Sequence, residues 1–219
     1  MPSVKLPRKS TDTDMTPFVD VAFLILSFFM LATKFKPPEP VEITTPGSVN
    51  SSKLPESNAV LIIIDSANRV FFSVLSEKDK SKPDAVIQGI NSSRTLGLSN
   101  AEMANYRQTF AVGVPFGNLK QLLGLNPKEQ AALKVPGIPV LDSANNELVW
   151  WIAESKKAFA GESLKYLIKG DAKSKYPTFE AVISALKRND EFKYNLVTAL
   201  DDIPSNSELD KYNKKNLKD

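Results

Sequence analysis

The sequence of 219 residues contains no cysteine and no histidine. These two absences exclude disulfide bonds, metal sites built on thiolate or imidazole, and nucleophilic catalysis of the Ser-His-Asp or Cys-His type. The remaining chemistry must use carboxylates, Lys, Ser, Thr or Tyr, and the adjacent Asp201 and Asp202 are too close in sequence to form a well-spaced catalytic pair. We therefore expect no enzymatic activity, no metal site and no cofactor.

An excess of charge of one sign is also missing. The chain has 28 Lys and Arg against 25 Asp and Glu, a net charge of +3. This balance is too small to build a phosphate-binding surface, so we expect no nucleic-acid partner. With 42% hydrophobic and 24% charged residues, the composition is typical of a folded protein.

Long apolar runs are scarce, and the one that is present lies near the N-terminus. Residues 15–33 contain a single ionisable group, Asp20. Nineteen residues in a helix reach roughly 28 Å, close to the hydrocarbon thickness of about 30 Å. Lys34 and Lys36 can snorkel at the far end, so we predict one transmembrane helix. A cleaved signal peptide and a buried helix of a soluble domain are the two alternative interpretations.

The rest of the chain divides by composition. Five Pro residues mark a stiff, extended tether, and Lys5, Arg8 and Lys9 favour a cytoplasmic N-terminus. This topology places most of the chain on the opposite, periplasmic side. The predicted parts are a cytoplasmic tail 1–14, a transmembrane helix 15–36, a Pro-rich tether 37–58, a periplasmic α+β domain 59–203 with a helical insertion 76–161, and a polar C-terminal tail 204–219.

The periplasmic part is predicted to hold a small mixed sheet with packed helices. The β-rich runs predict a hairpin, a charged loop follows it, and the last three elements form a β-α-β unit. The predicted elements are strands 59–64 and 70–75, a loop 77–84, a helical segment 85–160, a strand 164–169, a helix 177–189 and a strand 194–200.

Three helix starts are predicted inside the helical segment. Ser99 with Glu102, and Asn126 with Glu129, have the spacing of a capping box, and Asp142 can cap a helix that carries Leu148 and Trp151. The adjacent Trp150 and Trp151 cannot share one helix face. We expect both to be buried in different directions.

Asp20 is the residue with the greatest functional weight. An ionised Asp near the middle of a span costs about 2.5 to 3.5 kcal/mol to insert. Thr16, Asp20 and Ser27 share one helical face, and such a polar stripe should face protein or water. Desolvation can poise the carboxyl to take and release protons, so we predict a proton-binding site. The alternative is a structural Asp20 that caps the helix or snorkels to the interface.

The segment Asp14-Met-Thr-Pro-Phe-Val-Asp20 and the apolar run to Met30 resemble the ExbD/TolR family, in which a Thr-Pro-[Phe/Leu]-[Ile/Val]-Asp segment opens the single transmembrane helix. The resemblance continues more faintly outside the apolar run, at residues 60–72, 164–182 and 195–198, and covers roughly residues 10–75 and 162–200 in all. Residues 76–161 depart from the compact family pattern as a long insertion.

The resemblance implies an inner-membrane subunit of a motor driven by the proton motive force in a Gram-negative cell. It implies an ExbB-like polytopic partner that surrounds the helices of two copies of the chain within the membrane lipid, and a TonB-like protein or an envelope-maintenance system that receives the energy. The essential membrane Asp of the family corresponds to Asp20, with Thr16 and Pro17 beside it. The alternative from the residues alone is a plain anchor carrying a periplasmic binding domain for cell wall or an envelope partner, with Trp150 and Trp151 as contacts.

Overall fold

The computed structural model describes residues 15–32, 43–48, 57–76 and 79–200. The chain forms two compact units, residues 1–36 and residues 37–219. The predicted cytoplasmic tail 1–14 and C-terminal tail 204–219 lie outside the described residues, and so do Asp201 and Asp202.

The described part of the first unit is one helix, α1, Thr16–Ala32. It begins where the Met15 carbonyl accepts hydrogen bonds from the N–H groups of Phe18 and Val19, at 3.1 and 3.0 Å. Pro17 lies in this first turn, where a missing N–H leaves no intrahelical bond unmade. Among the helices of the described residues, none combines the length and the apolar character needed to cross a membrane.

The second unit is built on a four-stranded mixed sheet, which confirms the predicted α+β class. Its strands are β2 (Ser57–Ile64), β3 (Val70–Ser76), β4 (Lys165–Gly170) and β5 (Asn195–Val197), in the order β3-β2-β4-β5. β3 runs antiparallel to β2, whereas β4 is parallel to both β2 and β5. Almost every residue of β2 and the first half of β3 is buried, since helices and loops cover both faces.

The predicted hairpin is confirmed, and a buried carboxylate organises its turn. Asp65 Oδ1 accepts hydrogen bonds from the N–H groups of Ala67 and Arg69, and its Oδ2 accepts one from Arg69 Nε at 2.6 Å. Asn68 adopts a φ of 63°, which Asn tolerates better than most residues. Arg69 also donates to the Val135 carbonyl, so the turn is tied to the helical segment.

The β-α-β unit is also confirmed. Helix α7 (Tyr176–Lys187) connects the parallel strands β4 and β5 and buries Val182, Ala185 and Leu186. The predicted strand 194–200 is divided, however. β5 ends at Val197, and a separate strand, β6 (Ala199–Leu200), pairs in parallel with β1 (Gly47–Ser48) in a second, two-stranded sheet.

The helical segment is confirmed as five α-helices and one 3-10 turn. Their bounds are α2 Ser81–Arg94, α3 Asn100–Tyr106, α4 Phe116–Leu123, α5 Pro127–Ala132, the 3-10 turn Ser143–Asn145, and α6 Leu148–Ala158. The predicted loop 77–84 is wrong at its end, since α2 begins at Ser81, where Asp79 Oδ1 accepts the Ser81 N–H. The charged residues of this stretch can form the first turn of a helix because the Asp79 carboxylate accepts one of the N–H groups that have no partner within the helix.

Both predicted capping boxes are present. Ser99 and Glu102 exchange hydrogen bonds at the start of α3, and Asn126 and Glu129 do so at the start of α5. The prediction for Asp142 is wrong. Asp142 caps the 3-10 turn, and α6 begins later, at Leu148, because Asn146 Oδ1 accepts the Leu148 N–H.

Trp151 lies at the centre of the core, fully buried against the rings of Phe72, Tyr106 and Phe116 at 5.1 to 6.0 Å between centroids. The expectation that Trp150 is buried as well is wrong, since this side chain is 40% exposed. Adjacent residues on α6 point about 100° apart, and only the Trp151 direction faces the sheet. α2 packs beside α6, and a Cβ on Gly89 would overlap the Glu154 carboxylate, so the two helices meet at a glycine.

The Pro-rich tether is not a free spacer over its described part. The Thr44 N–H donates to Asp171 Oδ2 at 3.0 Å, and the Thr44 carbonyl accepts the Ala172 N–H at 2.9 Å. Ile43 packs against the core, and Gly47–Ser48 forms β1. We call residues 43–48 the docked segment. An extended chain with unpaired N–H and C=O groups gains by pairing them with available partners, and the strand end at Asp171 provides such partners.

Candidate functional site

The polar residues of α1 occupy one face, as the spacing predicts. With about 100° between successive residues, Thr16, Asp20 and Ser27 fall within a sector of about 40°. Ser27 lies about 10 Å along the axis from Asp20, and Thr16 about 6 Å in the other direction. Thr16, Asp20 and Ser27 therefore form a stripe on α1, whereas the fourth predicted site residue, Pro17, lies in the first turn about 100° from Thr16.

Ser27 has its hydroxyl partner within the helix. Its Oγ donates to the Leu24 carbonyl at 3.0 Å, and its side chain is half-buried against α1 itself. This i to i−3 bond satisfies the hydroxyl donor. The Ser27 oxygen keeps its capacity to accept a hydrogen bond from another group.

Apolar side chains cover the rest of α1 and are exposed. Phe18 is 70% exposed, Phe23 65% and Leu31 87%. From Met15 to Leu31 every side chain other than that of Ser27 is exposed. A helix with apolar side chains on all faces does not match a soluble surface helix, which has one apolar stripe. Asp20 is thus the one carboxyl on a helix whose other exposed side chains are mostly apolar.

In the second unit, an Asp follows the end of each of two neighbouring parallel strands, β2 and β4. Asp65 comes directly after β2 and Asp171 directly after β4, and the last residues of the two strands, Ile64 and Gly170, are paired. Both side chains are almost fully buried and engaged: Asp65 in the hairpin turn, and Asp171 with the N–H groups of Thr44 and Lys173. Asp171 is not among the site residues predicted from the sequence. The sequence signal that could have indicated its role is an Asp placed immediately after a predicted strand and a glycine.

No group of acidic side chains within the described ranges is arranged to hold a metal ion. The carboxylates at the sheet edge already accept backbone and guanidinium hydrogen bonds, as given above. Their arrangement serves the fold, and the candidate site remains the stripe on α1.

Trp150 forms part of an exposed aromatic and charged group. The Arg94 guanidinium lies 5.0 Å from the Trp150 ring centroid and 5.4 Å from that of Phe116. Glu147 Oε2 accepts the Phe116 N–H at 2.8 Å. Burial raises the pKa of Glu147, an effect that this hydrogen bond and Arg94 partly offset. The second unit therefore presents one exposed Trp whose ring contacts a cation.

Comparison with known proteins places these features in a family. The sequence model of the family described as biopolymer transport protein ExbD/TolR matches residues 7–201. The chain belongs to the ExbD/TolR family. The match begins ahead of the Thr16 to Asp20 motif and continues past β6, so it includes the α1 stripe and the sheet. No curated protein and no solved structure matches the chain.

Membership sets the broad functional context. Proteins of the ExbD/TolR family act in biopolymer transport, are not enzymes, are typically anchored in the inner membrane, and work with ExbB/TolQ-type and TonB-like partners. The resemblance expected from the Thr-Pro-Phe-Val-Asp motif is thereby confirmed.

Proposed function

We propose that this chain is the single-pass inner-membrane subunit of a motor driven by the proton motive force. In this proposal Asp20 binds and releases the proton, and the second unit lies in the periplasm. An ExbB-like polytopic protein surrounds the helix, a second copy of the chain lies beside it, and a TonB-like protein receives the energy for outer-membrane transport. Family membership supports the general role, and the α1 stripe supports the mechanism.

The observation that carries the proposal is a carboxyl on an otherwise apolar helix. An ionised Asp costs about 2.5 to 3.5 kcal/mol at the middle of a span, and Asp20 lies about four residues, or roughly 6 Å, from the middle of residues 15–33. The Asp20 side chain is exposed on α1 and is not part of a packed core. An ionisable side chain that is costly to insert into a membrane and does not stabilise the fold is typical of a functional site. A desolvated carboxyl is also suited to proton transfer.

The proposed span is residues 15–36. The 17 residues of α1 give about 26 Å at 1.5 Å per residue, which is shorter than a hydrocarbon layer of about 30 Å. Residues 33–36 complete the proposed span in the sequence and include Lys34 and Lys36, two side chains suited to the interface. The exposed apolar side chains on every face of α1 support lipid or protein surroundings for this helix.

The proposed partners follow from the stripe. If Asp20 faced hydrocarbon, its carboxyl would be left without hydrogen bonds, which costs several kcal/mol. Helices of an ExbB-like ring and of a second copy can bring hydroxyl or backbone groups, and water, to this face. Proton passage at Asp20 then has a free energy to use, about 2.3 kcal/mol per charge and 100 mV.

The test replaces Asp20 by Asn, which keeps the shape but cannot ionise. In cells and in proteoliposomes that also contain the ExbB-like partner, Asp20→Asn should abolish proton flux and energy-dependent uptake while the complex still co-purifies. Asp190→Asn is the matched control, because Asp190 is exposed in the second unit and its φ of 60° accommodates Asn. Normal uptake and flux by Asp20→Asn in an intact complex would refute the proposal.

A second candidate function is a membrane-anchored binding protein for cell wall or an envelope partner. The observation that favours it is the exposed Trp150 with its Arg94 contact, since exposed aromatic rings are common in recognition surfaces. This function should survive exchange of residues 15–33 for an unrelated apolar helix, whereas the motor function should not. Trp150→Ala should abolish the binding function and leave the motor function intact.

A further inference from the structure

One end of the four-stranded sheet brings together three loops that carry lysines and apolar side chains. The parallel strands β2 and β4 both end here. The hairpin turn 65–69 lies between the other two loops: Asn68 Oδ1 accepts the Lys175 N–H at 2.6 Å, and Arg69 donates to the Val135 carbonyl at 3.0 Å. We call this surface the basic pole, and it consists of residues 65–69, 133–137 and 171–177.

The exposed charges of the basic pole are positive. Lys134, Lys173 and Lys175 are exposed, and no ion pair joins any of them to a residue in the described ranges. The two carboxylates of the pole, Asp65 and Asp171, are only 1% and 6% exposed and accept hydrogen bonds from within the fold. Asp65 also neutralises the arginine of the hairpin turn through an ion pair of 2.6 Å. Three ammonium groups therefore face solvent without an exposed acid in these loops.

Exposed apolar side chains share the pole with the lysines. Tyr176 is 70% exposed and Leu133 is 44% exposed. Pro136 and Pro177, near them in the sequence, are exposed as well. Tyrosine rings and lysine side chains are suited to the headgroup region of a membrane, because their apolar parts can enter the interface while the polar ends remain in water. The composition of the pole therefore matches a membrane surface.

The chain that comes from α1 meets the second unit at this pole. Thr44 is hydrogen-bonded to Asp171 and Ala172, which both belong to the pole. Only ten residues, 33–42, separate α1 from the docked segment, and a chain of this length can reach at most about 40 Å. These ten residues contain two lysines and two glutamates, so they add no net charge. If α1 spans the membrane, the basic pole is therefore kept within reach of its surface.

We propose that the basic pole binds anionic phospholipid headgroups on the periplasmic surface of the same membrane. The three lysines pair with headgroup phosphates, and Tyr176 and Leu133 enter the boundary between headgroups and acyl chains. Weak intrinsic affinity is sufficient, because the short link makes this contact intramolecular, with an effective concentration of about millimolar. The link and the lack of exposed acids favour a lipid surface over a protein partner. This inference rests on the proposed membrane anchor and goes beyond proton coupling.

The test uses the full chain in nanodiscs with single thiols, since the chain has no cysteine of its own. Ala67→Cys places an exposed thiol in the hairpin turn of the pole, and Ser163→Cys places one ahead of β4, at the opposite end of the sheet. Each thiol carries a fluorophore that lipids with quencher-labelled headgroups quench on contact. The label at position 67 should be quenched in nanodiscs rich in phosphatidylglycerol, and far less in phosphatidylcholine or at high salt. The label at position 163 should stay unquenched in all of them.

Removal of charge tests the role of the lysines. A triple variant of the pole should lower the ratio of quenched to unquenched label at position 67 by about a hundredfold, because each lysine near an anionic surface contributes about fivefold. Its substitutions are Lys134→Gln, Lys173→Gln and Lys175→Gln. The matched control has the same net charge, lacks three exposed lysines of the other end of the sheet, and should leave this ratio unchanged. Its substitutions are Lys165→Gln, Lys187→Gln and Lys193→Gln.

A label on α1 separates this inference from the proposed function. Phe23 is exposed on α1, so a fluorophore at Phe23→Cys should be quenched by lipids that carry quenchers in their acyl chains. Quenching at position 23 without quenching at position 67 overturns the lipid contact of the pole and leaves the proposed anchor intact. Equal quenching at position 67 in both lipids, or quenching that survives the triple variant of the pole, also overturns it. A label at position 23 that stays unquenched overturns the anchor and this inference together.

Discussion

Asp171 holds the backbone of Thr44 through a 3.0 Å hydrogen bond from the Thr44 N–H to its Oδ2, across 127 positions of sequence. Asp171 Oδ1 accepts the Lys173 N–H at 2.8 Å, so one buried carboxylate closes its own loop and fixes the docked segment. The docked segment thus makes folded contacts with the second unit ahead of β2, the first strand of the four-stranded sheet.

Asp171→Ala should destabilise the second unit by about 1 to 3 kcal/mol, because two backbone N–H groups lose their acceptor at a site that is 6% exposed. Urea unfolding measures the loss, and amide exchange at Thr44 should accelerate more than exchange in β2. Asp171→Asn keeps one side-chain oxygen as an acceptor, so its stability should lie between that of Asp171→Ala and that of the unmodified chain. Equal stability of Asp171→Ala and the unmodified chain would contradict this role.

The two tryptophans provide a matched pair. Trp151→Ala should cost about 3 to 5 kcal/mol, because a fully buried ring is removed from the centre of the core. Trp150→Ala removes a ring that is 40% exposed with one cation contact, and should cost about 1 kcal/mol or less. Thermal unfolding of both variants is the measurement, and similar losses for the two would show that the assignment of the core is wrong.

Gly113 lies where no side chain fits. A Cβ at this position would fall well inside van der Waals contact with the ring of Phe71, which is itself fully buried. Gly113→Ala should therefore destabilise by about 1 to 3 kcal/mol through overpacking. Gly117→Ala in α4 meets no atom within 4 Å and should be neutral or stabilising by up to about 1 kcal/mol. Chemical denaturation of the two variants separates the outcomes.

Glu147 should make stability depend on pH. Folding raises the pKa of this carboxyl through burial, so the folded state holds the proton more tightly than the unfolded state. This group's contribution to stability therefore falls as the pH rises from its ordinary pKa of 4.5 through the raised value, and the deficit persists above it. Glu147→Gln should remove that dependence. The difference in unfolding free energy between the two proteins should move in favour of Gln with rising pH, and a difference that is constant from pH 4 to 7 would contradict the prediction.

Ser27→Cys introduces a unique thiol into this chain, which has no cysteine of its own. If the stripe faces protein, the thiol should crosslink to an ExbB-like partner and to a second copy. Ile25→Cys, on α1 about 160° from Ser27, should crosslink less to the second copy. Exclusive labelling of Ser27→Cys by lipid-phase reagents, with no protein crosslink, would exclude the assembly.

Local patterns accounted for much of the second unit. The hairpin, the β-α-β unit and the two capping boxes depend on residues within a few positions of one another, such as Ser99 and Glu102. A helix period or a strand period can be read directly from such neighbours. The Thr16 to Asp20 motif was sufficient to identify the family. The spacing of Asp20 and Ser27 was sufficient to predict that both lie on one face of the helix.

The errors at the start of α2 and at Asp142 are local, whereas the other errors and omissions involve partners that are distant in sequence. The division of the last strand depends on β1, which is about 150 residues away, and the fixed position of Thr44 depends on Asp171. Whether Trp150 or Trp151 enters the core depends on which face of α6 meets Phe72. No local period encodes which of two adjacent side chains faces the sheet.

The sequence alone determined where the apolar helix lies, which acid it carries and what elements follow, because helix and strand preferences act between near neighbours. Tertiary structure alone decided which edge groups remain unpaired. The edge of β3 at Val74 is left unpaired among the described residues because residues 107–110, from another part of the chain, turn away from it. Unpaired backbone groups of this kind result from how distant segments pack together. Each segment by itself is an ordinary strand or turn.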